Sequence, residues 1–207
     1  MPGDNKKEYG DYQTPLDFCN RVCGYVKSHV IDDPAAILEP TCGIGNFLYS
    51  ASEVFGCKNL YGIEINESYV RKAKGVIPSA DIVTGNIFDV DVHRITQGNR
   101  VLIIGNPPWA TNSNLVFNLP QKVNFKGLRG IDALTGSSNF DICESIILRL
   151  LDEFKRTDST ICMLCKTSVA RNILLEISRN ALSYERTEML HFNANKVFGI
   201  SAAACVF

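Results

Sequence analysis

The chain is short of the groups that would advertise several common functions. Its three histidines, His29, His93 and His191, are dispersed with no ligand spacing, so neither a metal centre nor a hydrolytic triad assembles from them. No stretch approaches the roughly 18 to 20 continuous apolar residues that a membrane-spanning helix needs. There is no polybasic field either: 21 Lys plus Arg stand against 22 Asp plus Glu, so any grip on a nucleic acid is local or supplied elsewhere. Internal repeats and low-complexity tracts are missing. Cysteine is the exception, with eight residues. They are scattered through apparent helices and strands with no secretory pattern ahead of them, and are expected to be reduced, mostly buried thiols of a cytoplasmic protein. Cys162 and Cys165 have Cys-x-x-Cys spacing, but they lie in the apolar run Ile161-Cys162-Met163-Leu164-Cys165 with no second pair, which suits a buried strand better than zinc.

What is there is ample material for one core: 207 residues, 45% of them apolar, suggest a single globular unit. Short apolar runs at residues 35–39, 60–64, 81–84, 101–104 and 160–165 read as strands. Between them, residues 15–29, 45–55, 67–76, 141–156 and 169–182 carry helical patterns, with Asn66 and either Asn139 or Asp141 as caps. Such alternation predicts an α/β protein with a mostly parallel sheet covered on both faces. Two closing runs, 187–192 and 200–207, are too close for another helical crossover and predict a final hairpin with an antiparallel last strand. The polar stretch 111–138, rich in Asn, Gly and Ser, reads as a long functional loop.

Ligand-type residues gather where strands end. The run Val101-Leu102-Ile103-Ile104 is followed by Gly105-Asn106-Pro107-Pro108-Trp109. The Asn106 carboxamide oxygen and the Pro107 carbonyl can both accept hydrogen bonds from one exocyclic amino group, and Trp109 offers a face for a flat ring. A bare Asn-Pro pair marks only a turn; four fitting residues at a strand end point to a site. Upstream, Leu38-Glu39-Pro40-Thr41-Cys42-Gly43-Ile44-Gly45-Asn46-Phe47-Leu48 leads a strand through a Gly-x-Gly turn into a helix, where a ligand meets bare backbone. Leu48 occupies the place where a dinucleotide fingerprint wants a third small residue, which argues against a nicotinamide or flavin dinucleotide. Glu64 ends the next strand where a ribose diol is gripped, and Asn86-Ile87 follow the third, with a polar side chain for an adenine edge and an apolar one for its face. Open parallel sheets bind ligands at these carboxyl ends.

Together these segments resemble the amino-group methyltransferases that use S-adenosylmethionine, most closely the adenine-N6 DNA methyltransferases of the gamma arrangement found in restriction-modification systems. Tyr12-Gln13-Thr14-Pro15 is similar to that family's N-terminal cofactor motif, residues 39–48 to its Gly-rich motif, Glu64 to its ribose-binding acid, and Asn106-Pro107-Pro108-Trp109 to its catalytic motif. The order, with the Thr-Pro element first, is the gamma order. The resemblance implies a Rossmann-like methyltransferase fold with a seven-stranded sheet. It implies S-adenosylmethionine held by Thr14, Glu39, Pro40, Gly43, Gly45, Glu64, Ile65, Asn86 and Ile87, with Asn106, Pro107, Pro108 and Trp109 as the catalytic set. Family members usually carry Asp at position 86, and Tyr or Phe as often as Trp at 109. Ser138-Asn139-Phe140 looks like a further motif, and Phe207 like the aromatic that packs on the flipped base. Residues 1–207 are then one catalytic domain, a fragment lacking a C-terminal target-recognition domain. DNA is bound weakly by this chain alone, with Lys122, Lys126 and Arg129 as phosphate contacts, and a recognition domain or partner subunit supplies specificity. Neither a metal nor a membrane is involved. Cytosine N4, RNA and a protein glutamine amide fit the same acceptors, and a cofactor-binding subunit inactive on its own is the non-catalytic alternative.

Overall fold

A computed structural model describes residues 12–96, 100–110, 141–179 and 184–207. In chain order the elements are α1 (Leu16–His29), β1 (Ala36–Glu39), α2 (Asn46–Phe55), β2 (Leu60–Glu64), α3 (Glu67–Val76), β3 (Asp81–Thr84), α4 (Val92–Thr96), β4 (Val101–Gly105), α5 (Ile142–Phe154), β5 (Thr160–Lys166), α6 (Thr167–Arg179), β6 (Leu190–Asn193), α7 (Ala194–Phe198) and β7 (Ala203–Val206). Seven strands form one sheet in the order β3-β2-β1-β4-β5-β7-β6. Strands β1 to β5 are parallel. β7 runs antiparallel to both β5 and β6 and lies between them.

Side-chain burial follows position in this sheet. Every residue of the central strands β1 and β4 is buried, Glu39 at the end of β1 included, in keeping with largely apolar strands covered on both faces. The edge strands β3 and β6 are only partly covered. Ile37, Leu38, Ile103 and Ile104 are fully buried together with Phe47 and Leu48 of α2, each worth about 1.5–3 kcal/mol of transfer free energy. On the helical side α1 packs against α2 and α5 against α6.

Local signals set the helix ends. Asn66 caps α3 by accepting from Ser68 N at 2.9 Å. Asp141, the second of the two residues considered for α5, caps it by accepting from Cys143 N at 3.0 Å; Asn139 lies outside the described residues. The closing hairpin forms as expected between β6 and β7, with a short helix, α7, in its connection. Asn193 caps α7 through Lys196 N, and Gly199, at φ +72°, ends it.

Candidate active site

Strand order puts β1 and β4 side by side while their connections depart in opposite directions, to β2 and to β5. In open parallel sheets ligands bind above the carboxyl ends at such a switch point, and both sequence constellations meet there. The segment Tyr12–Pro15 ties them together. Asn106 Nδ2 donates to the Tyr12 carbonyl at 3.0 Å, Gln13 Oε1 accepts from Ile44 N at 3.2 Å, and Asn46 Nδ2 donates to the Thr14 carbonyl at 2.7 Å.

The Gly-rich turn after β1 needs its glycines for two reasons. Gly43 and Gly45 have φ of +52° and +88°, where a Cβ is strained. At Gly43 a Cβ would also stand 2.6 Å from Gln13 Oε1. Glu39 faces Leu48, whose N–H it accepts at 3.0 Å, and packs against Gly105. Burial raises its carboxyl pKa well above the usual range, the Leu48 N–H pulls it back in part, and the charge of Glu64 raises it further. Glu39 and Pro40, both buried, thus shape the turn from beneath. Glu64 binds the turn from the β2 side: Oε2 accepts from Gly43 N and Oε1 from Asn66 N, each at 2.8 Å.

Beside Glu64, just past the end of β2, the apolar side chain of Ile65 is 58% exposed. The loop after β3 is wound by Asn86, whose Oδ1 accepts from Phe88 N at 3.1 Å and whose carbonyl accepts from Asp89 N at 2.9 Å. Ile87 is buried. Bare backbone at Gly43, a carboxylate at Glu64 that accepts from Gly43 and Asn66, an exposed Ile65 and the buried Thr41 Oγ1, which has no hydrogen-bond partner among the described residues, are the acceptor, hydroxyl and apolar groups at these strand ends.

The β4 end holds the sharpest chemical feature. Asn106 has its amide nitrogen committed to Tyr12, and its Oδ1 is buried with no partner among the described residues. A buried amide oxygen without a donor costs about 1–3 kcal/mol, and such an oxygen is an acceptor held ready for an N–H. Trp109 is only 8% exposed. Its Nε1 donates to the Leu164 carbonyl at 3.2 Å, so the indole is fixed by its edge. The ring of Phe198 meets it edge-on at 5.6 Å between centroids and lies 6.0 Å from the Tyr12 ring.

Phe198, which packs beside the candidate site, is not among the residues expected from the sequence; its only local signal is an aromatic just before the glycine that ends α7. Phe207 lies elsewhere. It pairs with Met163 midway along β5 and lines a cavity of about 580 Å³ with Arg100, Ser159 and Thr160, at the amino ends of β4 and β5. Lys122, Lys126, Arg129 and Ser138-Asn139-Phe140 lie outside the described residues. Among the described residues no group of three or more His, Cys, Asp or Glu could hold a metal ion, and no helix is long and apolar enough to cross a membrane.

No family model matches the chain. A type II methyltransferase, M.NspV from Nostoc sp., is 41% identical over 98% of the chain, which covers 44% of that relative's length. The chain spans less than half the length of the curated relatives it matches. Among solved structures, the methyltransferase subunit of a type I restriction-modification system from Streptococcus thermophilus superposes with a TM-score of 0.65 at 14% identity, over 94% of this chain and 44% of that one. TrmK of M. capricolum in complex with S-adenosyl-homocysteine superposes with a TM-score of 0.51 at 12% identity, over 94% of this chain and 68% of that one. The chain thus has the fold of the Rossmann-like S-adenosylmethionine-dependent methyltransferases, and over nearly all of its length its sequence is similar to that of a type II methyltransferase.

Proposed function

We propose that this chain is the catalytic part of a DNA methyltransferase of a restriction-modification system, acting on the exocyclic N6 amino group of adenine. The observation that carries the reading is the Asn106 carboxamide. Because its nitrogen donates to Tyr12, its oxygen is turned the other way and kept as a buried, open acceptor. The Pro107 carbonyl, on a residue with no N–H of its own, supplies the second acceptor. Two acceptors on one amino group draw it out of conjugation and stabilise the positive charge that grows on nitrogen as it attacks, so no side-chain base is needed.

S-adenosylmethionine, when bound, supplies the electrophilic methyl group. Thr14, Gly43 and Gly45 would hold its methionine end, Glu64 its ribose, and Ile65, Asn86 and Ile87 its adenine, above the turn that Glu39 and Pro40 support. Pro108 stiffens the loop between the acceptors and Trp109. Trp109 and Phe198 form an aromatic wall for a base taken out of the helix stack, an interaction worth roughly 1 to 3 kcal/mol per base.

The near-neutral charge of the chain and the greater length of its type II relative support target recognition by a further domain or subunit, with DNA held weakly by this part. Eight free thiols, seven of them buried, suit a reducing, cytoplasmic setting. The test is methylation of mixed-sequence DNA followed by nucleoside mass spectrometry. N6-methyladenine is the expected product. N4-methylcytosine, or methyl transfer only to RNA or to a glutamine-bearing protein, would replace the acceptor. Cofactor binding without turnover, rescued by an added recognition domain, would assign this chain a supporting role.

A further inference from the structure

The helix that follows the catalytic loop reaches the loop proposed to hold the cofactor's adenine. At its start, Ile142 N donates to the carbonyl of Ala110, next to Trp109, at 3.1 Å. About two turns later, Arg149 extends its guanidinium under the β3–α4 loop, donating to the carbonyl of Ile87 and, at 2.7 Å, to that of Val90. Its Nε is held by Glu153 Oε1 at 2.7 Å, and the two side chains are 12% and 24% exposed. One cation thus satisfies two carbonyls of a short loop that has no regular secondary structure, while a carboxylate on the same helix fixes its plane. A planar fork does this; a lysine ammonium presents a single point charge.

We infer that Arg149 is a positioning residue for cofactor binding, clamping the Asn86–Val90 loop through the Ile87 and Val90 carbonyls and joining it, through α5, to the loop that bears Asn106 and Trp109. The inference rests on the assignment of Asn86 and Ile87 to the adenine of S-adenosylmethionine. Arg149 touches neither cofactor nor substrate; it acts by holding the loop in its binding shape. Glu153 acts one step further back, by orienting the guanidinium.

The experiment compares the whole chain with Arg149→Met, Arg149→Lys, Glu153→Gln and Asn86→Ala, by calorimetric titration of S-adenosylmethionine and by methyl-transfer kinetics with varied cofactor. Arg149→Met is expected to raise the Kd and the cofactor KM by roughly tenfold or more, with kcat at saturating cofactor within about twofold of the parent, a split that general destabilisation does not produce. Arg149→Lys should restore part of the affinity, and Glu153→Gln should lose a smaller part. Weakening in both Asn86→Ala and Arg149→Met supports the clamp. Weakening in Asn86→Ala with an unchanged Arg149→Met overturns it and leaves the adenine site standing; no weakening in either overturns the adenine assignment, and the clamp with it. If Arg149→Met does not fold, Glu153→Gln decides: an unchanged cofactor KM there refutes the clamp.

Discussion

Replacing Asn106 by Ala should separate activity from stability, and the structure gives the size of each effect. The substitution removes the Nδ2 hydrogen bond to Tyr12, a loss of about 0.5–1.5 kcal/mol, but it also removes a buried oxygen without a donor, whose burial costs about 1–3 kcal/mol. Asn106 as a whole is only half-buried, which trims both figures. The two nearly cancel, leaving the variant as stable as the parent or about 1 kcal/mol more stable, a rise in Tm of zero to about 4 °C for a domain of this size. Methyl transfer should respond very differently. Loss of one preorganised acceptor at the charge-developing atom costs about 2.7–4 kcal/mol by analogy with an oxyanion donor, or roughly 100- to 1,000-fold in kcat. The Kd for S-adenosylmethionine should stay within about threefold, because in the proposed function Asn106 holds the acceptor amino group and not the cofactor. Circular dichroism melts, calorimetric titration and single-turnover transfer from labelled cofactor measure the three quantities. A variant that melts several degrees lower and loses activity in proportion would refute the argument, since Asn106 would then be a structural cap of β4.

Gly43→Ala should weaken S-adenosylmethionine binding in calorimetry and lower stability by about 1–2 kcal/mol, because the new Cβ meets Gln13 at 2.6 Å on a backbone at φ +52°; Gln13→Ala added to it should recover the steric part alone. Phe198→Ala, which removes a ring packed on Trp109 and Tyr12, should raise the DNA KM by about tenfold, in line with one lost stacking contact, while leaving cofactor affinity unchanged. Glu39→Gln keeps an acceptor for Leu48 N. Since burial raises the native pKa of Glu39 above 4.5, the native state holds the proton more tightly than the unfolded chain, and stability falls as pH rises from 4.5 towards the native value. The variant's advantage in urea denaturation should therefore be small at pH 4.5 and larger at pH 7; the reverse order would contradict the burial argument. Thiol labelling of the native protein should modify Cys57 first, the one cysteine of eight that is not buried, with the others reacting only in denaturant.

The central strands were legible in the sequence because buried parallel strands are largely apolar, and the runs 35–39, 60–64 and 101–104 announce themselves against polar helix starts and glycine turns. Asn66 was legible as a cap from its residue type and place before a helix, and Asp141 as one of two candidates with Asn139. Less legible were residues whose role depends on distant partners. Nothing near Arg149 marks it as a ligand of carbonyls at 87 and 90, since its sequence neighbours read as an ordinary amphipathic helix. Phe207 and Phe198 are equally aromatic and stand nine residues apart. The hairpin's path, with α7 folded into its connection, brings one to Trp109 and takes the other to the amino ends of the strands.

By itself the sequence determined the α/β alternation, the strand ends that carry ligand-type residues, and the chemistry of an amide followed by prolines and an indole, because each follows from residue type and spacing within a few positions. The tertiary structure alone decided which way the Asn106 amide faces, since Tyr12 lies far away in the chain and becomes its partner only when the N-terminal segment crosses the strand ends. It also decided that Glu39 supports the turn from beneath while Glu64 closes it from the side. Two glutamates that each end an apolar strand look alike in sequence, and they differ only in what the folded chain packs around them.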